Sequence, residues 1–476
     1  MFTPSRQTVI KSRNLHEIVA LMKSANRSRT PVFPVSAGKN WGYDLGGAKK
    51  GIVLDLSKLN RIVDYNEELA YVTVEPGVTF KQLFRFLKKK KSNLMMTTSG
   101  ASPEASLIGG TVERGIGRGF YPKRNEYTCG LEIVLPTGKI INTGFKSFGA
   151  KTLNNVFKEA IGPDTSGLFL QSNLGIVTKM TIWLTPMPKF IQTFYCFVRN
   201  ENHLLGLIDK FRTLKFTNII RSSVFFANDY KVLANKQQYP WEEMKNKTPL
   251  ADKVLNQLKS KWGIKGVFSA EGMIASSDEE ESVYKTNKIK EILKNLVVDL
   301  KFSEPFPTKA IYLFNYSNTV PGVPSEEALP SLYWRKKKTI PKKIDPWRDR
   351  CGLIWIGSVS PLLGKTMIKV VAKVKKIFAD YGFEPNIAFN LATERAAYIN
   401  IMIIYDKEVQ GEDQRALKCY KTTISALKKY GIMPYRLTTK GMSFIHPDVN
   451  YSELIKSLKK LVDPNNILMP GRYDFS

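Results

Sequence analysis

Hydrophobic and polar positions follow both helical and strand periods along the chain, and together they predict an α+β protein. Apolar residues at helical spacing predict a helix from Asn14 to Met22, capped near Asn14. A second helix begins at Thr79 and has one apolar face, made of Phe80, Leu83, Phe84 and Leu87. Short apolar runs bounded by turn residues predict strands at Ile52–Leu56, Leu69–Val74, Leu131–Leu135, Ile140–Thr143 and Met180–Leu184. The turn Pro136–Gly138 joins two of them into a hairpin.

The pattern changes after the segment Thr185–Pro188. From there to about Met433, long amphipathic helices alternate with apolar strands, which indicates a second α+β domain. Helices are predicted at Ser282–Leu296, Gly364–Tyr381 and Glu412–Tyr430, and strands at Gly352–Ser358 and Ala397–Ile404. A last helix is predicted at Ser452–Val462. The length of 476 residues also favours two or three domains over one core.

Two loops of small residues interrupt the predicted elements of the first part. The first, Ser36–Tyr43, follows the apolar run Val32–Val35 and precedes Gly46-Gly47, and the second is Ser99–Thr111. Backbone N–H groups of such loops can converge on a phosphate, because glycine permits positive φ and a close approach. Each loop alone is also typical of an ordinary glycine-rich turn. The two together suggest a long diphosphate ligand that is held at several points.

The composition argues against several classes of protein and of site. Hydrophobic residues make up 43% and charged residues 24% of the chain, as in soluble globular proteins, and no apolar run is long enough to span a bilayer. The first residues show no signal-peptide pattern, so a cytoplasmic protein is expected. The four cysteines and three histidines are too scattered for a disulfide framework, a metal site or a histidine-based triad, so no metal is expected.

The net charge of +30 is unusually high, with lysine-rich runs at residues 88–91 and 335–338. Such a surface attracts acidic partners, nucleic acid or anionic membranes. The lysines are, however, spread along the whole chain and no nucleic-acid motif accompanies them. A solvated basic face is therefore the preferred interpretation, and neither nucleic acid nor membrane is expected as a partner.

The order of several motifs resembles the vanillyl-alcohol oxidase / p-cresol methylhydroxylase family of FAD enzymes. Any one motif is weak evidence, but the resemblance covers nearly the whole chain. The matching segments are Gly38–Tyr43, Val74–Thr79, Gly109–Gly117, Gly167–Phe169, Asn173–Met180, Tyr435-Arg436, and Asp463-Pro464 followed by Pro470–Arg472.

This resemblance implies an FAD-binding domain made of residues 1–195 and 434–476, and a cap domain, residues 196–433, over the isoalloxazine ring. The diphosphate would lie on the two loops, the strand after Gly175 would pass along the cofactor, and Arg472 would reach the flavin or its phosphate side. The alternative for Arg472 is a surface arginine. The positions that the resemblance assigns to FAD are Val35, Ser36, Ala37, Gly38, Lys39, Asn40, Trp41, Gly42, Ser102, Ile108, Gly109, Gly110, Val112, Gly115, Gly117, Gly175, Ile176, Val177 and Arg472.

Tyr43, Tyr435 and Arg436 resemble the family positions that bind the oxygen of a para-substituted phenol. Two hydroxyls and a guanidinium can hydrogen-bond a phenolate and lower the pKa of the substrate phenol. The electron-rich phenolate then favours hydride loss from the para-side carbon to flavin N5. The resemblance therefore implies these three residues as catalytic. A packed aromatic residue in a turn and an ordinary strand pair are the alternatives.

The chain departs from the family pattern in three places. The segment Arg350–Gly357 contains neither His nor Tyr, the residues that often bind FAD covalently, so noncovalent FAD is expected. No carboxylate stands within Ser99–Ser102, where oxidases of the family have an aspartate near N5. Lys123 and Arg124 stand where many relatives carry an Asp-His pair. If these two cations line the pocket, the substrate carries an anionic group; the alternative is a basic surface loop.

The preferred hypothesis is an FAD-dependent oxidoreductase that acts on a para-substituted phenol or related aromatic alcohol. The second is an FAD-dependent dehydrogenase or oxidase of a 2-hydroxy acid or other alcohol, because D-lactate dehydrogenases share the FAD domain. The third is a basic binding protein that has lost catalysis. The expected partners are a small aromatic substrate, O2 or a redox protein as electron acceptor, and a second copy of the chain, since family members often form dimers.

Overall fold

The computed structural model describes residues 7–43, 51–307 and 322–473, and the chain divides into two compact units. Gly46 and Gly47, noted above beside the first loop, lie outside the described residues. Unit 1 comprises Met1–Gly117, Lys123–Pro186 and Leu437–Ser476, and unit 2 comprises Arg118–Pro122 and Met187–Arg436. A short stretch, Arg118–Pro122, thus belongs to unit 2 although both of its neighbours along the chain belong to unit 1.

Unit 1 combines small sheets with a few helices. Its strands are β1 Gln7–Lys11, β2 Val32–Val35, β3 Gly51–Asp55, β4 Ile62–Asn66, β5 Tyr71–Val74, β6 Leu94–Met95, β7 Thr128–Val134, β8 Ile140–Asn142, β9 Ile176–Trp183 and β10 Thr185–Pro186. Its helices are α1 Leu15–Ser28, α2 Phe80–Lys90, α3 Leu107–Val112, α10 Thr439–Met442 and α11 Val449–Val462. Strands β1, β3 and β2 form a parallel sheet, and β4-β5-β9-β7-β8 form an antiparallel one.

The C-terminal segment completes the core of unit 1. Val32 donates a backbone hydrogen bond to the Ile467 carbonyl at 2.8 Å, and its own carbonyl accepts one from Met469 at 3.0 Å. This segment therefore continues the parallel sheet beside β2. The core cluster here joins α1, β2, β3 and the tail, and includes Ile18, Met22, Val32, Leu54, Ile176, Ile467 and Leu468.

Unit 2 is built on one large sheet with helices. Its strands are β11 Phe190–Val198, β12 Val224–Asn228, β13 Phe268–Ser276, β14 Val297–Phe302, β15 Phe306–Pro307, β16 Cys351–Pro361, β17 Asn386–Leu391, β18 Ala396–Asp406 and β19 Met433–Arg436. Its helices are α4 Glu201–Phe216, α5 Asp229–Lys236, α6 Asp252–Lys261, α7 Glu279–Leu293, α8 Gly364–Asp380 and α9 Glu412–Lys428. The strand order is β14-β11-β13-β12-β17-β18-β16-β19, with β15 beside β11.

The two faces of this sheet differ in what covers them. Phe226 on β12 packs edge-on against Phe211 of α4, with ring centroids 5.5 Å apart. Since successive side chains of a strand point to opposite faces, the neighbouring Phe225 lies on the face away from α4. That second face carries Tyr435 and the residues described below.

Local predictions are confirmed where a capping residue sets the boundary. The Asn14 side chain accepts the Glu17 N–H at 3.0 Å and begins α1, and Thr79 accepts the Gln82 N–H at 3.1 Å and begins α2. The four apolar residues predicted for one face of α2 are buried. The hairpin of β7 and β8 is also confirmed.

Several predicted boundaries were wrong by a few residues. Helix α1 continues six residues past Met22, until Arg29 adopts a left-handed conformation and donates to the carbonyls of the last turn. The strand predicted from Leu69 begins at Tyr71, because Leu69 N–H donates to the Asn66 side chain at 2.8 Å in a turn. Helix α7 begins and ends three residues before its prediction, since Asp278 caps it. In the described ranges, no helix has both the length and the apolar character needed to cross a membrane.

Candidate active site and cofactor-binding loops

The first loop, Ser36–Tyr43, leaves the end of β2 without regular structure. Gly38 and Gly42 have φ of +64° and +81°, a left-handed conformation that favours glycine. Among the described residues, the backbone N–H groups of Ser36, Ala37 and Gly38 donate to no protein acceptor. Three consecutive amide donors are therefore available to an anion at this loop.

The rest of the loop is more firmly held. The Lys39 ammonium lies 5.4 Å from the centre of the Trp41 ring. Tyr43 is buried, and its backbone N–H donates to the Asn40 carbonyl at 3.4 Å. Gly42 lies between these two aromatic residues.

The second loop is fastened to the strand-to-helix turn before α2. The Ser106 hydroxyl donates to the Pro76 carbonyl at 2.5 Å and accepts the Gly109 N–H at 2.9 Å, so it caps α3. Leu107 N–H donates to the Val78 carbonyl at 3.0 Å. A β-carbon on Gly109 would overlap the Ser36 hydroxyl. The structure therefore brings the two predicted phosphate loops into contact within unit 1, at a point that leaves no room for a side chain.

Arg124 is buried, and its side chain donates hydrogen bonds to the backbone at the end of the second loop. Its Nε donates to the Gly115 carbonyl at 3.0 Å and its Nη2 to the Gly110 carbonyl at 3.3 Å, while its guanidinium lies 5.3 Å from the centre of the Phe80 ring. A surface-loop role is thus excluded for Arg124, which is 7% exposed. A β-carbon on Gly115 would meet the Gly110 carbonyl oxygen at 2.6 Å.

Lys123, the neighbour of Arg124, has a different environment. It is half-buried and forms an ion pair with Glu126. Burial, together with the charges of Lys158 and Arg114, lowers the pKa of the Lys123 ammonium. Lys123 therefore lies among other cations, which favours the approach of an anion.

The remaining predicted cofactor positions also belong to unit 1. Ser102 and Ile108 are buried, and the Val112 carbonyl accepts the Gln171 N–H at 2.7 Å. A β-carbon on Gly117 would lie 2.7 Å from the Thr98 carbonyl oxygen. Gly175 precedes β9, on which Ile176 and Val177 pair with Val134 and Ile133 of β7.

Arg472 is buried and forms an ion pair, with the partly buried Glu113, that the sequence did not predict. Its Nη2 donates to Glu113 Oε1 at 2.6 Å, and the Tyr473 hydroxyl donates to Glu113 Oε2 at 2.9 Å. Arg472 is only 4% exposed, so the surface-arginine alternative is excluded. Glu113 stands inside the Gly109–Gly117 motif, but nothing in the sequence relates it to the tail.

The tail is anchored by a second ion pair, and both of its partners are buried. Lys459 of α11 donates to Asp463 at 2.6 Å and to the carbonyls of Asn173 and Leu468, each at 2.8 Å. Asp463 also accepts the N–H groups of Ile467 and Leu468 at 3.0 and 2.8 Å. The Asp-Pro motif of the tail is therefore the point at which the chain turns back into the core of unit 1.

The three predicted phenol-binding residues are divided between the units. Tyr435 and Arg436 are neighbours on β19 of unit 2, whereas Tyr43 belongs to unit 1. The Tyr435 ring packs edge-on against Tyr398 of β18, with centroids 5.0 Å apart. Arg436 is buried opposite Gly357 of β16. Tyr398 was not predicted, because nothing in its strand sequence distinguishes it from a packed core aromatic.

All four cysteines are free and buried, and burial raises the pKa of each thiol to about 12. Within residues 7–43, 51–307 and 322–473, no three His, Cys, Asp or Glu side chains cluster as metal ligands do. Glu104, beside the position of the missing aspartate, is paired with Lys81 at 2.6 Å.

Comparison with known proteins places these features in a family. A family profile described as an FAD binding domain matches residues 7–144, which lie mostly in unit 1. The chain is 38% identical over 488 residues to 1'-carboxy-chondrochloren decarboxylase of Chondromyces crocatus, with 98% of this chain and 90% of the relative covered. It is 28% identical over 477 residues to the 4-cresol dehydrogenase [hydroxylating] flavoprotein subunit of Pseudomonas putida, covering 97% and 87%.

The chain belongs to the p-cresol methylhydroxylase-type family of FAD-linked oxidoreductases. A crystal structure of p-cresol methylhydroxylase with substrate bound matches it with a TM-score of 0.86 at 25% identity, covering 98% of this chain and 88% of that one. The predicted family and α+β fold class are confirmed, and the protein is an FAD-dependent oxidoreductase. By contrast, glycolate oxidase subunit GlcD of Bacillus subtilis (strain 168) is 32% identical over only 42% of this chain and 42% of its own length.

The residues of unit 1 fit the FAD of this family. The free amides of Ser36, Ala37 and Gly38 offer hydrogen bonds to a phosphate, and Gly109 lets the second loop approach them closely. The loop also carries Lys39, a cation that suits an anionic ligand. These residues would hold the diphosphate of the cofactor.

Proposed function

We propose that this protein oxidises a para-substituted phenol, with hydride loss from the carbon attached to the ring. The observation that carries the proposal is the extent of the similarity. The relative named for 4-cresol spans 97% of the chain and therefore both units, whereas the glycolate oxidase subunit matches 42% of it. Because the middle of the chain forms unit 2, a relative that extends over unit 2 is the better guide to the substrate.

Tyr435 and Arg436 of unit 2 are proposed to bind the phenol oxygen, and the role of Tyr43 stays a prediction from the family resemblance. The Arg436 guanidinium is held on a strand in a buried position, so little conformational entropy is lost when it binds a phenolate. The Tyr435 ring is oriented by its edge-on contact with Tyr398. Donors fixed in this way lower the pKa of a bound phenol and stabilise its anion before the reaction begins.

Bound FAD supplies the hydride acceptor in this chemistry. We propose that it is held noncovalently, because the segment Arg350–Gly357, which is nearest to the attachment position of the family pattern, contains neither His nor Tyr. Precipitation of the purified protein with acid should leave the flavin in the supernatant. Yellow flavin that stays in the washed, denatured pellet would contradict noncovalent binding.

Oxidative decarboxylation is a second candidate, favoured by the 38% identity to a relative named as a decarboxylase. A suitable substrate is a phenol whose para side chain bears a carboxylate on the second carbon. The benzylic carbon loses a hydride, and the carboxylate then leaves as CO2. The electron pair of the broken C–C bond becomes the new C=C bond conjugated with the ring. The phenol proton lost on binding is regained when the product leaves.

The test is anaerobic flavin bleaching. The holoenzyme is mixed with 4-alkylphenols, 4-hydroxybenzyl alcohols, carboxylated 4-alkylphenols or D-2-hydroxy acids, and the flavin absorbance is followed. We expect bleaching by the phenols, with the rate lowered at least about 100-fold in Tyr435→Phe and Arg436→Ala. Release of CO2 from the carboxylated phenols would select decarboxylation. Bleaching by hydroxy acids alone would overturn the phenol proposal.

The electron acceptor is proposed from the net charge, and the assembly state from the family membership. O2 or a redox protein is proposed to reoxidise the flavin, and the net charge of +30 supports an acidic protein partner. A homodimer is proposed from the family membership alone. Stopped-flow reoxidation by O2 and sedimentation of the holoenzyme test these two statements separately.

A further inference from the structure

Arg118 occupies an unusual place in the fold. It begins the five-residue stretch Arg118–Pro122 that belongs to unit 2 although its chain neighbours belong to unit 1. The Ser223 N–H donates to the Gly119 carbonyl at 3.1 Å, which fixes this stretch to the start of β12. Arg118 is thus carried onto the large sheet by the backbone, independently of its own side chain.

Two neighbouring strands hold the Arg118 guanidinium. It lies 4.6 Å from the centre of the Phe225 ring on β12, and its Nη1 lies 2.9 Å from Glu271 Oε1 on β13. Phe225 and Glu271 face each other directly in the β12–β13 ladder. An aromatic base below and a carboxylate on one side orient a guanidinium while leaving its other edge open.

The guanidinium retains donors for a ligand. Arginine has five N–H groups, and among the described residues the single acceptor that contacts those of Arg118 is Glu271. The Arg118 and Glu271 side chains are 22% and 36% exposed, so the pair is accessible. A planar guanidinium with an open edge is suited to donate two parallel hydrogen bonds to a carboxylate.

Arg118 and the proposed phenol-binding Tyr435 lie on the same face of the sheet. In the ladders of unit 2, Phe225 stands opposite Asn390, and Asn390 stands opposite Tyr398. Residues directly opposite one another share a face, and the Tyr398 ring contacts Tyr435. Two strand spacings, about 10 Å, separate the backbones at Phe225 and Tyr398. This is the scale of a phenol with a short para side chain.

A second cation lies near Arg118. Lys231 of α5 is buried, with its Nζ 3.0 Å from the Ser331 hydroxyl and 3.7 Å from the Met402 sulfur. Burial, and to a lesser degree the charge of Arg118, lowers the pKa of Lys231 to about 7. Lys231 is therefore only partly protonated near pH 7, and its protonated form adds to the positive potential that Arg118 offers to a ligand anion.

We propose that Arg118, seated on Phe225 and oriented by Glu271, binds a carboxylate on the para side chain of the phenol substrate. This inference rests on the proposed function, because it places the carboxylate relative to a phenol held by Tyr435. It names the substrate class as 4-hydroxyphenyl alkanoates. It also assigns the recognition of the anion to Arg118 rather than to Lys123 or Arg124.

The test compares two ligands that differ by one carboxylate, 4-ethylphenol and 3-(4-hydroxyphenyl)propanoate. Holoenzyme is photoreduced under nitrogen so that no turnover occurs, and the Kd of each ligand is measured by calorimetry. We expect Arg118→Gln to raise the Kd of the propanoate by about 10- to 100-fold and to change that of 4-ethylphenol by less than about twofold. Arg118→Lys should give an intermediate loss.

Two further variants separate binding from a structural role. Arg221→Gln removes one exposed arginine of the same unit and should bind both ligands as the wild type does. Glu271→Gln keeps an oxygen acceptor that can orient Arg118 but removes the negative charge that competes with the ligand, so the propanoate should bind more tightly than to the wild type. A purely structural ion pair predicts the opposite, with Glu271→Gln and Arg118→Gln weakening both ligands alike.

The measured Kd values separate a failure of the Arg118 role from a failure of the proposed function. If the wild type binds 4-ethylphenol but Arg118→Gln leaves the Kd of the propanoate unchanged, the role of Arg118 is overturned and the phenol proposal stands. Equal losses for both ligands in Arg118→Gln would also overturn that role. If the wild type binds neither ligand, the proposed function and this inference both fall.

Discussion

The buried Arg472 and the partly buried Glu113 form an ion pair of 2.6 Å across 359 positions of the chain, and this pair joins the C-terminal tail to the end of the Gly109–Gly117 motif. The Tyr473 hydroxyl shares the same carboxylate at 2.9 Å. Arg472 was expected to reach the flavin or its phosphates. Its contact with Glu113 means that any effect on the cofactor also passes through the position of the loop.

Removal of one partner of this pair should destabilise unit 1. For Glu113→Gln, we expect the free energy of unfolding to fall by about 3 kcal/mol, because a buried guanidinium loses its counter-charge. Tyr473→Phe deletes one hydrogen bond and keeps the pair, so it should cost only about 1 kcal/mol. Denaturant unfolding of the apoprotein measures both variants without any contribution from FAD binding. Equal effects of the two substitutions would contradict the ion pair as the main contact.

Gly115 should tolerate no side chain. In Gly115→Ala the new β-carbon would lie 2.6 Å from the Gly110 carbonyl oxygen and close to the Arg124 guanidinium. We expect a loss of about 1–3 kcal/mol of stability and weaker FAD binding, since the loop must shift. Gly100→Ala is the matched control, because a β-carbon there meets nothing within 4 Å. Thermal unfolding of the apoprotein should show a change in the first variant and almost none in the second, and FAD titration should show weaker binding in the first.

Arg124 is expected to act mainly through the backbone of the second loop. Arg124→Met leaves the Gly110 and Gly115 carbonyls without this donor, so stability should fall by about 1–3 kcal/mol. Lys123→Met, at a half-buried position, should change the free energy of unfolding by less than about 1 kcal/mol. For the variants that fold, the Kd of 3-(4-hydroxyphenyl)propanoate and the Kd of 4-ethylphenol should also be measured and compared with those of the wild type. A loss confined to the anionic phenol would support the expected substrate-binding role of the two cations.

Lys231 should make stability depend on pH. Its pKa is lowered from the usual 10.5 to about 7, chiefly by burial. Between these two values the unfolded chain binds more protons than the folded one, so this residue makes the free energy of unfolding rise with pH. Lys231→Met should flatten that rise and stabilise the protein near pH 7 by at least about 1 kcal/mol.

The matched control for Lys231 is Lys236→Met, at an exposed position of the same helix. Unfolding midpoints of the three proteins would be measured between about pH 7 and pH 10, the window in which the folded and unfolded forms of Lys231 differ. Lys236→Met should follow the wild type. If Lys231→Met follows it as well, the folded lysine titrates at its ordinary pKa and the prediction fails.

The sequence by itself determined features that depend on neighbours within one turn or one loop. Asn14 and Thr79 could be recognised as helix caps, because a cap hydrogen bond spans three residues. The apolar face of α2 follows from its period alone. The order of the motifs was sufficient to predict the family and to predict FAD as the cofactor.

The tertiary structure decided which distant residues meet. The pairs Glu113–Arg472 and Tyr398–Tyr435 depend on how the segments pack. In neither pair does the sequence around one residue indicate which residue it contacts. The stretch Arg118–Pro122 could not be assigned to unit 2 from sequence, because the segments on both sides of it belong to unit 1. Hydrophobic period and capping are local properties, whereas the register of a nine-stranded sheet and the return of a tail are set by the packing of the whole chain.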